Sequence, residues 1–553
     1  MDSPENILVL QLARFGDFLQ TTPLLAALKR RYAGCRLTVL VNENLADLAR
    51  GNPDVDQVRS APLARMAETA GETMPLSEKL LALQAMLAPL KGEAYDLVLN
   101  LNTSRTAALI SHLIPAGRRS GPHYGTDRER FLLAPWAVFV MDLLSHRRLG
   151  RFNLVDLLTA YAGPGLRPAL GPVFPVSPDM TRQAEALLGP DRGRPLVGFQ
   201  LGSNHALRQW PPSHFARLGA ALIRRCQARI VLLGTGAEAR LGDAFLDQLA
   251  RVEPAGIRSV IPLLGRTSLP ALAGVLKKLR LLVTTDTGTM HLAAAVKTPI
   301  LALFLGPALC HETGPYGPGH VVLQAMTDCS PCVENAPGCT NPVCQEAMTP
   351  SLVEDAAAWL LSPGAPFPAQ DDPGPAGVQA LVSAVDRFGT IYEPLRPSPL
   401  TLEEVLALAF REAGRSFLEP GYALCPDELR HTLERFTPRP IRERVRQLLR
   451  TLSELEAAWA VRTVPPARLE RARLIGAVNR EPLLAPLGRI LAWPDVSHAA
   501  GLKFVRDMVQ SVALAQGYLL DRPVIGLETA PAGAVRTDMA PNLHPYERKN
   551  ATL

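Results

Sequence analysis

The sequence predicts an α/β protein made of two doubly wound, Rossmann-like domains that face a cleft, followed by a C-terminal, mainly helical extension. Three observations carry this. A β-α-β pattern opens the chain, a second series of the same kind starts near residue 196, and after residue 361 the composition turns to proline and glycine before helical periodicity resumes. The 553 residues leave room for two domains and an appendage, since a domain usually holds on the order of 100–200 residues. With 47% hydrophobic and 20% charged residues the chain is ordinary globular material, which sets global disorder aside. The 58 basic and 52 acidic residues leave a net charge of +6, too small a surplus to indicate nucleic acid as a partner. No stretch approaches the roughly 20 apolar residues of a membrane span, and the N-terminus opens Met-Asp-Ser-Pro-Glu without a basic segment and an apolar one behind it. The expected location is therefore the cytoplasm.

Taken in order, residues 7–10 form a short apolar strand, Gly16-Asp17 reads as a polar turn, residues 23–32 read as a helix and residues 37–41 as the next strand. Residues 95–102 read as a buried strand whose polar end points at a cleft, because ligands sit beyond the carboxyl ends of parallel strands. The first domain is expected to span residues 1–175. Residues 196–201, 230–233, 281–285 and 300–304 supply the strands of the second domain, 176–361, with a helix over 210–225. Residues 362–398 read as a Pro-rich linker. Thr401-Leu402-Glu403-Glu404 has the capping-box pattern and opens a helical module over 399–525, and residues 526–553 read as a loosely held tail.

The segment Val283-Thr284-Thr285-Asp286-Thr287-Gly288-Thr289-Met290-His291 carries the sharpest chemistry. A strand ends, a turn of small residues follows and a helix begins. Amides at Thr287, Gly288 and Thr289, with the positive end of the helix, suit a diphosphate, and His291 in the first turn could add a donor. The plainer alternative is that Asp286 only caps the helix.

Asp286-Thr287-Gly288, then Met290 to Ala295 and Pro299 before a hydrophobic strand, resemble the donor-site signature of glycosyltransferase family 9, which includes enzymes that transfer heptose from ADP-heptose to lipopolysaccharide core. Further motifs appear in the family's order. Leu201-Gly202-Ser203 followed by Arg208-Gln209-Trp210-Pro211 resembles the loop whose basic residue contacts donor phosphates; the family usually has Lys there, and Arg208 keeps the charge while adding a planar fork. Gly265 to Leu269 and Gly234 to Glu238 match more weakly and are partly structural. Arg14-Phe15-Gly16-Asp17 with Gln20-Thr21-Thr22-Pro23 is similar to the element that carries the family's proposed general base, and Arg118-Arg119 before Ser120-Gly121 resembles its basic residue near the acceptor cleft.

The resemblance covers roughly residues 6–361 and implies a GT-B fold and an inverting, metal-independent glycosyl transfer that requires no cofactor. It implies Asp17 as the base and Arg208 as the cation on the leaving diphosphate. Donor binding would fall to Gly202, Ser203, Asp286, Thr287, Gly288, Thr289 and His291, and acceptor binding to Gly16, Thr22 and Arg119. The implied partners are a nucleotide-sugar donor, ADP-heptose, and a glycan or lipid-linked acceptor. A same-fold transferase acting on a protein or flagellar acceptor and a non-catalytic sugar-nucleotide-binding scaffold remain as alternatives. A nicotinamide enzyme does not, because residues 11–17 hold a single glycine where Gly-x-Gly-x-x-Gly is needed.

Two features lie outside that reading. Cys329, Cys332, Cys339 and Cys344 fall within one Pro/Gly-containing loop that could wrap a structural zinc; four free thiols is the favoured alternative, because the second pair lacks tight Cys-x-x-Cys spacing. Arg430 to Arg450 and Arg462 to Arg473 are dense enough to suggest peripheral contact with the anionic inner membrane leaflet, but interspersed glutamates favour solvated helices instead.

Overall fold

The computed structural model describes residues 3–63, 75–124, 130–131, 146–163, 165–168, 171–190, 193–332, 339–362, 377–386, 388–395 and 401–418, with eight isolated positions beyond them. Its first sheet contains β1 (Asn6–Gln11), β2 (Arg36–Asn42), β3 (Gln57–Ala61), β4 (Tyr95–Asn100) and β5 (Ala116–Ser120) in the order β3-β2-β1-β4-β5. Every pairing in it is parallel. The two central strands are almost wholly buried, which is why they read as unbroken apolar runs. A two-stranded ribbon, β6 (His123–Tyr124) and β7 (Arg130–Phe131), lies beyond β5.

The second sheet has eight strands, ordered β10-β9-β8-β11-β12-β13-β14-β15. Six are parallel: β8 (Leu196–Gln200), β9 (Arg229–Leu233), β10 (Val260–Pro262), β11 (Leu281–Thr285), β12 (Ile300–Phe304) and β13 (Val321–Ala325). In each sheet the strand order reverses at one place, between β1 and β4 and between β8 and β11. Such reversal points open a crevice outside the carboxyl ends of the strands.

Two expectations need correction. The presumed linker contains a hairpin, β14 (Val378–Val385) and β15 (Thr390–Pro394), paired antiparallel to β13 and to each other. The hairpin covers the row of unpaired amides and carbonyls that β13 would otherwise expose as an edge. The second domain thus runs past residue 361, and the linker reading holds at most for the flanking residues, which are outside the described set. At the other end, α1 (Phe15–Arg31) begins at Phe15, so Gly16-Asp17 is its first turn and Pro23 lies inside it. Pro23 has no N–H to give the carbonyl of Leu19, and the Thr22 hydroxyl donates to that carbonyl at 2.8 Å instead.

Five further helices bear on function: α2 (Arg105–Leu113), α3 (Leu154–Ala160), α4 (Pro178–Leu188), α5 (Gly288–Ala295) and α6 (Leu402–Leu418). α4 packs on the Leu269–Lys278 helix and so belongs with the second sheet. The capping box at the start of α6 forms: Glu404 Oε2 accepts from Thr401 N at 2.7 Å, and Thr401 Oγ1 accepts from Glu404 N at 3.2 Å. Val405, Leu406, Ala409 and Phe410 of α6 are buried, as are Leu448, Leu452, Leu484, Leu487, Val505 and Met508 further on. The arginine-rich stretches lie outside the described residues apart from exposed Arg450, as does the tail. Among the described residues no helix is long and apolar enough to cross a membrane.

Helix α6 is tied to the rest by charge. Arg411 Nη1 pairs with Asp386 Oδ2 at 2.6 Å in the hairpin turn, and its Nε donates to the Arg151 carbonyl at 3.1 Å. Asp386 Oδ1 also accepts from the amides of Phe388 and Gly389. Removing one partner of a buried pair strands the other charge. Arg411→Met is therefore expected to destabilise the protein by about 3 kcal/mol, read as a lowered denaturant midpoint; an unchanged midpoint contradicts the tie.

Candidate active site

The first domain's reversal point holds a cavity of about 690 Å³, lined by Gln11, Leu12, Ala13 and Asp17 after β1, by Leu101 to Thr103 after β4, by the first turn of α2, and by Leu154 and Leu158 of α3. Asn102 fastens the two strand ends: its Oδ1 accepts from Leu12 N and its Nδ2 donates to the Leu10 carbonyl, both at 2.9 Å. Gln11 Nε2 donates to Thr21 Oγ1 at 2.9 Å and so holds β1 against α1. Asp17 Oδ2 accepts from Arg14 N at 3.0 Å, which caps α1 and fixes the carboxylate at the cavity rim. The capping role and the functional one are compatible at this residue.

The second domain's reversal point lies against it. α1 and α5 pack together, and they meet through glycine. A Cβ on Gly16 would stand 3.3 Å from Gly288 Cα and 3.2 Å from His291 Cδ2, and a Cβ on Gly288 would stand 2.2 Å from Phe15 Cζ. The first turn of α1, with Asp17, thus abuts the first turn of α5, with Gly288 and Thr289. The N-cap of α5, Thr287, makes no side-chain capping bond. Thr289 Oγ1 donates to Gln200 Oε1 at 3.0 Å, tying α5 to the end of β8.

Asp286 is not the cap of α5. Its Oδ2 accepts from Arg208 Nη1 at 2.9 Å and from Thr313 Oγ1 at 3.1 Å, and its side chain is 6% exposed. Arg208 ends the short 3₁₀ turn Ala206–Arg208 in the loop after β8. In the same loop Ser203 accepts from Gln209 Nε2 through its carbonyl at 2.9 Å. Gly202 faces Glu238, whose Oε1 would lie 1.8 Å from a Cβ there, while Glu238 Oε2 accepts from Thr235 N at 2.6 Å. The sequence marks Glu238 as partly structural, and its carboxylate indeed caps the turn after β9 while filling the space beside Gly202.

Several expected site residues have other duties. Thr22 is buried: besides repairing α1 at Pro23, its hydroxyl accepts from Val173 N at 3.0 Å, so it pins the interdomain crossing and does not reach the cavity. Arg119 donates through Nε to the Ser111 carbonyl at 3.2 Å and through Nη2 to the Ile114 carbonyl; it closes the C-terminal end of α2 and does not line the cavity. Gly16 serves the contact between helices, where side-chain volume is excluded.

His291 is 5% exposed, and burial pushes its imidazole down to about 4. It is neutral near pH 7 and supplies no positive charge. The four loop cysteines are free, with Cys329 and Cys339 exposed and Cys344 buried. Burial first, then the neighbouring thiols, raises Cys332 and Cys344. Among the described residues no group of three or more His, Cys, Asp or Glu side chains is placed to hold a metal ion, so the zinc expectation gains no support from the geometry.

Residues 84–340 match the family described as glycosyltransferase family 9 (heptosyltransferase). The chain is 26% identical over 342 residues to Lipooligosaccharide heptosyltransferase 2 of Haemophilus influenzae, covering 58% of this chain and 89% of that one. It is 26% identical over 334 residues to Lipopolysaccharide heptosyltransferase 1 of Pseudomonas aeruginosa, covering 60% and 86%. Among solved structures, the glycosyl transferase family 9 protein from Veillonella parvula DSM 2008 superposes with a TM-score of 0.52 at 20% identity, covering 65% of this chain and 97% of that one. That likeness identifies the two-domain body as a GT-B fold. The hairpin β14–β15 and helix α6 lie beyond the family match.

The buried imidazole of His291 yields a pH prediction. The unfolded chain binds a proton below about pH 6.5, whereas the folded site does so only below about 4. The destabilisation is therefore absent above the unfolded value and grows as pH falls through this window. It amounts to about 3 kcal/mol at the acid end, because each tenfold loss of proton affinity on folding costs about 1.36 kcal/mol. His291→Gln is expected to flatten the loss of stability between pH 6.5 and 4, measured by denaturation at each pH; a parallel profile contradicts it.

Proposed function

From the premise that this chain belongs to glycosyltransferase family 9 and is a transferase, we propose that it moves heptose from ADP-heptose to lipopolysaccharide core or a related surface glycan, with inversion at the anomeric carbon. The observation that carries the reading is the abutment of the two reversal points: the first turn of α1, which holds a carboxylate at the rim of a roomy cavity, touches the first turn of α5, just after the Asp286 that holds Arg208. The names of the relatives, lipooligosaccharide and lipopolysaccharide heptosyltransferases, support the choice of donor sugar and acceptor class.

In this mechanism the acceptor sugar enters the cavity beside Asp17. Asp17 takes the proton of the attacking hydroxyl as its oxygen bonds to the anomeric carbon, and the bond from that carbon to the diphosphate oxygen breaks on the opposite face. Negative charge grows on the departing ADP. Arg208, the amides opening α5 and the dipole of that helix meet it, so no step is routed through a metal. Asp286 keeps the Arg208 guanidinium oriented while the diphosphate comes and goes. Neutral His291 packs beneath Gly16 and contributes shape rather than charge.

An Asp17→Asn variant is expected to bind ADP as the wild type does and to lose kcat by about 10²- to 10⁴-fold, the range for a general base. The assay is ADP release from ADP-heptose in the presence of heptose-deficient lipopolysaccharide core. Undiminished kcat removes Asp17 from the role of base, and wild-type turnover only with other donors or acceptors replaces the substrate assignment.

A further inference from the structure

We propose that Thr313 is a positioning residue for the transfer: through Asp286 it sets the orientation of the Arg208 guanidinium. The proposal rests on the reading of Arg208 as the cation that meets the leaving diphosphate. Arg208 lies in a loop and reaches its working orientation only by being held. The holder is Asp286 Oδ2, which accepts from Arg208 Nη1 at 2.9 Å and from Thr313 Oγ1 at 3.1 Å. A single oxygen shared by two donors fixes the direction from which each approaches, so the Thr313 hydroxyl limits how the carboxylate can turn.

The behaviour of Thr313 is unusual for its position. It ends the short helix Cys310–Thr313, where a threonine hydroxyl commonly donates back to the carbonyl four residues earlier. Here the backbone amide of Thr313 takes the Leu309 carbonyl at 3.2 Å, and the hydroxyl turns to Asp286. The helix is itself anchored from both sides. Cys310 N donates to Gln324 Oε1 at 2.9 Å within the second domain. Glu312, the neighbour of Thr313, takes a forked pair from Arg147, with Nε–Oε1 at 2.9 Å and Nη2–Oε2 at 2.6 Å. Arg147 opens the segment that leads into α3, the helix that lines the acceptor-side cavity and packs on α1. Arg147, Glu312, Thr313, Asp286 and Arg208 thus form a continuous strut from the acceptor side to the donor cation.

The test is a double-mutant cycle between Thr313→Val and Arg208→Ala, with Thr313→Ser as the conservative control, read by kcat, donor KM and ADP affinity in the full chain. Thr313→Val is expected to lower kcat by about tenfold with little change in donor KM. Thr313→Ser should recover most of the loss, and Thr313→Val should cost almost nothing further in the Arg208→Ala background. A Thr313→Val enzyme equal to wild type overturns the proposal, as does a loss of the same factor in both backgrounds or a failure of serine to restore activity. ADP binding that ignores Arg208→Ala overturns instead the reading of Arg208 beneath it. Intact ADP binding by wild type, lost in Arg208→Ala, together with no effect at Thr313 overturns this proposal alone.

Discussion

Two glycines set how near the two halves of this molecule can come, and the site depends on that distance. Gly16 and Gly288 let the first turns of α1 and α5 touch without intervening side chains, and Phe15 fills the room that Gly288 leaves. Each helix starts where its sheet reverses strand order, so the contact brings two crevices together at one seam. Any Cβ at Gly288 collides with the Phe15 ring, and relief would have to come from moving that ring or parting the helices. The register of Asp17 against the amides of α5 is thereby inherited from backbone packing rather than from long side chains.

Charge is handled differently on the two sides of the seam. On the side of the first domain the carboxylate of Asp17 caps its own helix and stands at a cavity with leucine walls and hydroxyl-bearing ends. On the side of the second domain a mostly buried ion pair, Arg208 with Asp286, stands beside a helix N-terminus. Partial burial strengthens such a pair relative to water and keeps its geometry narrow, as the proposed transfer requires of a group that meets charge only as the leaving group departs. The hairpin β14–β15 and helix α6 back this seam from the second sheet, where the buried ring of Tyr392 in β15 packs edge-on against His311 of the Cys310–Thr313 helix. They close the sheet edge at β13 and bind the segment before α3 through Arg411, which gives part of the C-terminal extension a structural reason to exist.

Much of the body is legible in the sequence because parallel central strands are buried on both faces and read as apolar runs, and because reversal points follow from β-α-β order. Asp17, Arg208 and Asp286 stand in separate motifs whose residues lie along one seam. The duties of Thr22 and Arg119 are not legible: neighbouring motif residues point both toward the acceptor, whereas each is consumed by a local backbone demand, a missing amide at Pro23 and the open carbonyl end of α2. The hairpin escapes a sequence reading because its alternating strand, residues 378–385, is embedded between Pro- and Gly-rich flanks that dominate the composition. Thr313 carries no sequence signal at all, since its importance comes from a carboxylate 27 positions away.

The proposed transfer requires a nucleotide diphosphate to bind at the seam. Titration calorimetry of ADP and UDP against the full chain and its Arg208→Ala variant tests this most directly. The predicted result is binding of ADP in preference to UDP, weakened at least about tenfold in the variant by loss of the charged hydrogen bonds that arginine gives to phosphate. No binding of either nucleotide, or equal affinity in the variant, would contradict it.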